Sequence, residues 1–279
     1  KADGSFQYGS FTLVPIEGYD AIIAALQTTA AREETVTVTF PEGYNAFQMG
    51  EVLEKAGLCT QQAFLEAVNT HTFEVSYWNQ ISRDPLKLVR LDGFLFPDTY
   101  QFFKDEPVDS IILRMLENFE AKVLTPENQK LLEKSGYSLE DWVVFASIIQ
   151  KEAANVEEMY NVSSVFYNRM QKNSGYPKLE SCTTNNYIRD YLQPQYGGKA
   201  PQEELDAYDT YGTPGLPVGA IANPGADALD AALKPNDTPY YFFVTDIEFT
   251  HYYGKTFAEH ESNIQKALAV NKKHGKNGL

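Results

Sequence analysis

Cysteine is nearly absent from this sequence, positive charge is in short supply, and long apolar runs do not occur. The two cysteines, Cys59 and Cys182, lie far apart in the 279 residues, which excludes a CxxC redox pair and a cysteine-based metal cluster. One disulfide is open in principle, but at that separation two unpaired, partly buried thiols are the simpler expectation. Lys and Arg number 23 against 38 Asp and Glu, a formal net charge of −15, and no basic tract appears. A surface that tracks phosphates needs clustered cations to displace counterions, so nucleic acid is excluded as a partner. The acid excess itself speaks for solubility and says little about chemistry. No stretch reaches 18 apolar residues, and the opening KADGSFQYGS lacks the charged-then-apolar pattern of a secretory signal. No metal site and no cofactor are expected.

What is present is the composition of a folded chain: 43% hydrophobic and 22% charged residues, with a length that suits one or two domains. Two is the working expectation, divided as 1–103 and 104–279. Residues 35–40 read TVTVTF, β-branched and alternating, and Pro41, Glu42 and Gly43 end them as a turn. Phe47, Val52, Leu53 and Ala56 then recur at helical spacing before Gly57, and residues 61–68 form a second short amphipathic stretch. An earlier segment, residues 11–15 followed by Gly18 and the apolar stretch 21–26, faintly echoes this strand-then-helix order. Residues 91–103, LDGFLFPDTYQFF, suit an extended segment bent at Pro97–Asp98 that closes the small unit.

Beyond residue 103 the texture is helical. Ile111, Ile112, Met115, Leu116 and Phe119 make an apolar stripe that Pro126 interrupts. Ser138 followed by Asp141 is an N-terminal capping signal for a helix that carries Trp142, Phe145, Ala146 and Ile149 and ends near Ala154. Asn155 with Glu158 caps the next one, which turns Met159, Val162, Phe166 and Met170 to the core. Residues 177–225 are dense in Pro and Gly and read as a long binding loop, whose tyrosines, Tyr187, Tyr191, Tyr196, Tyr208 and Tyr211, suit stacking on sugar rings. A short strand at 240–245 and a helix from Thr256 onward finish the chain. The fold class is therefore α+β: a small βααβ unit followed by a mainly helical domain with short strands.

The residue with most chemical promise is Glu152. It falls three after Ile149 and four after Ile148, on the margin of an apolar helical stripe, while Lys151 takes the outer face. Apolar neighbours and a nearby helix C-terminus both disfavour its charged form, and a carboxyl that keeps its proton is what general-acid cleavage of a glycosidic bond requires. From patterning alone the plainer reading, a boundary residue paired with Arg169 or Lys151, carries more weight.

The company of this helix alters that balance. LDGFLFPDTYQF at 91–102 resembles the LEGYLFPDTY motif of the YceG-like endolytic murein transglycosylases, and ASIIQKE at 146–152 resembles their ASI-[IV]-[EQ]-x-E motif. VFYNRM at 165–170, GLPVGAIANPG at 215–225, and His251 with KTFAEH at 255–260 are similar to three further elements of that family, in the family's order. VTVTFPEG and the two short helices after it, residues 36–68, resemble the family's small LysM-like unit. Two departures stand out: Asp92 where the family usually has Glu, and DTYGTPG at 209–215, which only loosely matches the family's SPYNTY.

The resemblance implies a lytic transglycosylase with Glu152 as its single catalytic acid/base, cutting peptidoglycan glycan strands without water. Substrate contacts are implied at Gln150, Asn168, Arg169, Tyr211, Asn223 and His251, although a helix-face role in the fold suits Asn168 and Arg169 equally well, Asn223 is most simply a turn former, and a lone His such as His251 is more often a packed, hydrogen-bonded residue. The resemblance also implies an N-terminal membrane helix preceding these residues, a single-pass protein with this part on the extracytoplasmic face, and partnership with penicillin-binding cell-wall synthases. The competing reading is a non-catalytic peptidoglycan-binding scaffold of the wall-synthesis machinery, favoured by the LysM-like unit and the two departures.

Overall fold

The computed structural model describes residues 34–278, together with Tyr19, Asp20, Ile22 and Ile23, which are helical. The echo expected at residues 11–26 otherwise lies outside the described residues. Strand β1, Thr35–Thr39, pairs antiparallel with β2, Thr99–Phe103, so that Val38 faces Tyr100 and Val36 faces Phe102. Between them run helices α1, Ala46–Lys55, and α2, Gln61–Thr70. Asn45 starts α1 with a capping box: its Oδ1 accepts the Gln48 N–H and the Gln48 Oε1 accepts the Asn45 N–H, each at 3.1 Å. The strand–helix–helix–strand order matches the βααβ expectation, with β2 closing the unit.

Helices α3, Val108–Val123, and α4, Pro126–Ser135, follow. Pro126 does more than interrupt the preceding helix: behind the Thr125 N-cap it occupies the first turn of α4, where its missing N–H is no loss. Helices α5, Leu139–Glu152, and α6, Val156–Met170, both open on the caps read from sequence, Ser138 with Asp141 and Asn155 with Glu158. From Trp142 to Ile149 every residue of α5 is buried, so this helix is the central rod of the core rather than an amphipathic surface element. Trp142 meets its one polar need by donating Nε1–H to the Leu229 carbonyl at 2.8 Å. Helix α9, Ala226–Leu233, lies across α5 and α6.

Part of the segment expected to be loop, residues 177–225, is helical: α7, Cys182–Tyr187, continues through a π-turn at Ile188–Leu192, and α8 spans Gln202–Tyr208, while residues 209–225 hold no helix. Most of the Pro and Gly fall outside these helices, while Pro194 lies within the short turn Gln193–Gln195 that follows the π-turn. Tyr187 and Tyr208 are buried at 3% and 0% exposure, which removes them as sugar platforms. Two strands close the chain, β3 at Phe242–Thr245 and β4 at His251–Gly254, paired as an antiparallel hairpin, and α10, Phe257–Lys273, packs on that hairpin. One buried apolar cluster runs from Val38 to Ala232 and takes in residues on both sides of position 103.

A polar knot joins these parts. The Asn223 side chain, fully buried, accepts the N–H groups of Gly93 and Leu95 at 2.7 and 3.0 Å, and donates to the Tyr44 carbonyl and to Asp92 Oδ1 at 3.0 and 3.2 Å. Asp92 Oδ1 also caps α1 through the Ala46 N–H at 2.7 Å, and its Oδ2 accepts the Tyr187 hydroxyl at 3.3 Å. Gly93 has φ +94, and a β-carbon there would lie 2.3 Å from Val143 Cγ1 and 2.9 Å from the Ala220 β-carbon, so no other residue fits this turn. The shorter Asp92 is thus a structural carboxyl wedged between α1, α7 and the loop at 223.

Burial, opposed by these three hydrogen bonds, pushes Asp92 up to about 7. The folded chain therefore holds a proton that the unfolded chain releases near pH 4, so this group's contribution to stability is full below about pH 4 and is lost as pH rises through about 7. Urea unfolding at pH 5 and pH 8 tests this. The Asp92→Asn protein should gain on the parent at the higher pH by as much as a few kcal/mol, whereas an identical difference at the two pH values contradicts the assignment.

Candidate active site

Helix α5 delivers Glu152 as its last residue. Ala153 leaves in an extended conformation, φ −79 and ψ 138, and Asn155 immediately caps α6, so the carboxylate sits at the corner between two core helices. Glu152 is half-buried and, among the described residues, takes part in no ion pair. The plainer expectation of pairing is not met: Lys151 donates to the Gly43 carbonyl at 3.3 Å, and Arg169 pairs with Glu180.

Two donors hold the carboxylate instead, both on one oxygen. The Ser181 hydroxyl donates to Glu152 Oε1, and the Thr183 N–H donates to the same atom at 3.2 Å. Ser181 is itself fixed. Its N–H donates to Thr210 Oγ1 at 3.1 Å and its carbonyl accepts the Thr184 hydroxyl at 2.9 Å. Just before it, Glu180 sits at φ +55, a left-handed backbone that few non-glycine residues adopt, with its N–H on the Thr210 carbonyl at 3.0 Å. No hydrogen bond reaches Oε2 among the described residues, so one carboxylate oxygen is tethered and the other is available.

Glu152 lines a cavity of about 380 Å3. Helix α6 contributes Arg169 to its wall, the α7 approach contributes Glu180 and Cys182, and Tyr211, Phe242 and His260 come from the loop at 211, β3 and α10. Tyr211, 40% exposed, shares a 3.1 Å contact between its hydroxyl and Cys182 Sγ. Burial, the Cys182 contact and the Glu152 charge together push its phenol well above the ordinary range, so it stays a neutral donor. Burial and the nearby Arg169 hold the His260 imidazole below its ordinary value, and its Nδ1 is buried without a partner. Both cysteines are unpaired; Cys182 is exposed and Cys59 partly so.

Of the seven residues singled out in the sequence, Glu152, Arg169 and Tyr211 meet at this cavity. Arg169 is 4% exposed and spends its fork on the protein: Nε on the Lys178 carbonyl at 2.7 Å, Nη1 on the Tyr241 carbonyl at 3.0 Å, and Nη2 on Glu180. It lines the cavity as the clamp that joins α6, the α7 approach and β3. The other four residues lie away from the cavity lining. Gln150 accepts the Gly225 N–H at 2.9 Å, Asn168 donates to the Thr238 and Tyr240 carbonyls at 2.7 and 2.9 Å, and Asn223 is the knot described above. His251 is buried between Phe243 and Tyr253, ring centroids 5.8 and 6.0 Å away, with neither ring nitrogen hydrogen-bonded. Asp98, read as a turn residue, accepts the Thr99 N–H and pairs with Lys122.

Sequence reasoning missed Ser181, Thr183 and His260. Ser181 and Thr183 stand in the run ESCTTN, whose hydroxyls carried no spacing signal because their partner is 29 residues or more away. His260 was visible within KTFAEH but only as part of a resemblance.

A mainly helical α+β body with one unpaired glutamate at the rim of an aromatic-walled cavity is the class these features define. The model of the YceG-like family matches residues 1–266, and the chain belongs to that family. It is 26% identical to the endolytic murein transglycosylase of Bacillus subtilis (strain 168) over 280 residues, which cover 96% of this chain and 75% of that protein. It is 29% identical over 251 residues to the endolytic murein transglycosylase of Streptococcus pneumoniae (serotype 2, strain D39), covering 82% of this chain but 44% of that longer protein. A 2.6 Å crystal structure of a yceG-like protein from Listeria monocytogenes superposes with a TM-score of 0.66 at 25% identity, over 92% of this chain and 85% of that one.

The clamp role of Arg169 gives a stability test. A lysine cannot span three acceptors in one plane, so Arg169→Lys should lower the unfolding free energy by about 2–4 kcal/mol, read as a fall in the urea midpoint. A midpoint within error of the parent contradicts the clamp.

Proposed function

We propose that this chain is an endolytic peptidoglycan lytic transglycosylase in which Glu152 serves alone as general acid and then general base. The observation that carries the reading is the state of Glu152: at the cavity rim, free of any counter-ion among the described residues, and tethered through Oε1 only. The names of the two curated relatives support the substrate class. The second carboxylate lining the cavity, Glu180, is committed to Arg169. The usual glycoside hydrolase works with two carboxylates, one as acid and one as nucleophile or base.

In the proposed reaction the acid form of Glu152 carries its proton on Oε2 and gives it to the oxygen of the β-1,4 bond that follows N-acetylmuramic acid. As the bond from C1 to that oxygen breaks, the sugar's own C6 hydroxyl closes on C1 and its proton passes to Glu152, which is thereby restored. No water is consumed, and the products are a free 4-hydroxyl end and a 1,6-anhydro end. The nucleophile belongs to the same sugar as the leaving group, so its effective concentration is high and no water needs positioning. Ser181 and the Thr183 N–H stabilise the carboxylate that exists between the two proton transfers. Tyr211 offers a neutral hydroxyl beside it.

The reading extends to the unit of β1, α1, α2 and β2 as a LysM-like glycan contact, to action on the extracytoplasmic face of the cell membrane through a preceding single-pass helix, and to work beside the synthases that build the wall. The family resemblance supports these. Among the described residues no helix is long and apolar enough to cross a membrane.

Two variants test the mechanism on purified glycan strands. Glu152→Gln should lower turnover about a hundred- to ten-thousand-fold while glycan binding persists; turnover near that of the parent removes Glu152 from the chemistry, and a parent that binds without turnover favours the scaffold reading. Ser181→Ala should lower kcat about tenfold with little change in KM, since it orients the acid without touching the sugar. A change confined to KM contradicts that positioning role.

A further inference from the structure

A second cavity, of about 300 Å3, opens where the end of α2 meets the loop that leads to residue 91. Arg83, Lys87 and Arg90 converge on it, with Asp84, Asn69 and Thr70 also in its wall, in a chain whose net charge is −15. Lys87 is already paired with the partly buried Glu140. Asp84 turns Oδ1 to the Leu86 N–H at 2.9 Å, a local turn contact. Asn69 and Thr70 spend their polar groups on backbone partners at Arg90, Leu65 and Glu66.

Arg90 is different. It is 8% exposed, its guanidinium lies 4.2 Å over the Trp78 ring, and its Nε is buried without a hydrogen-bond partner among the described residues. Among the described residues no carboxylate pairs with it or with Arg83, which stands exposed at the cavity mouth. Burial and the proximity of Arg83 both hold the Arg90 guanidinium below its ordinary value, and burial lowers Lys87 to about 8 against the pull of Asp84. A guanidinium whose Nε–H is buried and unmet is unfavourable in a finished fold, and its planar fork matches the two oxygens of a carboxylate or phosphate.

We propose that this cleft is an oxyanion site, taking a carboxylate or phosphate group on the Arg90 fork with Arg83 closing over it. Glu152 is not part of its wall, so the site stands independently of the proposed cleavage reaction. The net charge of −15 repels anions in general, and the neighbouring cations make this place an exception. Carboxylate and phosphate share this chemistry, and their sources differ: a peptide terminus or acidic side chain in the one case, a phosphorylated polymer or lipid head in the other.

Trp78, beneath the guanidinium, supplies the readout. The intact chain is titrated at pH 7 and constant ionic strength with inorganic phosphate and, separately, with acetate, chloride making up the balance, while tryptophan fluorescence is followed. At least one titration should saturate, and the tighter of the two names the source. Arg83→Ala, an exposed change that leaves the fold alone, should weaken it fivefold or more, and Arg90→Met, which keeps an apolar cover on Trp78, should abolish saturation. Responses that rise without saturating for both anions, or saturation unchanged in Arg83→Ala, overturn the proposal even if Arg90→Met fails to fold.

Discussion

The buried knot of Asn223 and Asp92 is the constraint on which the other parts depend. Asn223 answers two backbone N–H groups in the turn at 93–95 and one carbonyl at Tyr44, and Asp92 caps α1 and receives Tyr187. Four segments distant in sequence are thereby locked together in a place without water. A buried network of this kind holds one arrangement strongly when complete and is costly when any member is missing. Its reach extends to the chemistry, because α7 is tied at both ends: Tyr187 to Asp92, and Thr183 to Glu152. The helix that orients the carboxylate is thus referenced to the same knot that seats the β1–β2 unit against the core.

Charge is distributed with comparable economy around the cavity. Of the two carboxylates there, Glu180 is bound by the buried Arg169, and Glu152 meets only neutral donors on a single oxygen. Arg169 could have quenched Glu152. It is held off because its three donor directions are fixed on Lys178, Tyr241 and Glu180. The left-handed backbone at Glu180 lets one residue serve that clamp while the next turns its hydroxyl to Glu152. In this way a stability device and a functional device share a segment without sharing a charge.

Much of the fold was legible from local signals. TVTVTF, the caps at Ser138 and Asn155, and the stripe of α3 each state their structure within a dozen residues, and each forms as read. The misreadings came from punctuation and from distance. Pro126 opens a helix rather than merely stopping one, and the Pro- and Gly-rich stretch at 177–225 holds short helices between 182 and 208, with most of its Pro and Gly outside them. HYYG is too short to announce a strand until FFVT lies beside it.

The site was legible only at its centre. Glu152 stood out because a carboxylate at the margin of a buried helix demands a reason, and Tyr211 and Arg169 do reach its cavity. Asn223, Gln150 and Asn168 were equally prominent in their motifs, yet they spend their side chains on backbone groups of the fold. A motif marks both kinds of residue alike, and only the hydrogen-bond partner separates them. The central claim, that one glutamate closes the sugar's own hydroxyl onto C1, is tested most directly by mass spectrometry of the new glycan ends after digestion. The account predicts 1,6-anhydro ends, lighter by one water than reducing ends; ordinary reducing ends would contradict it.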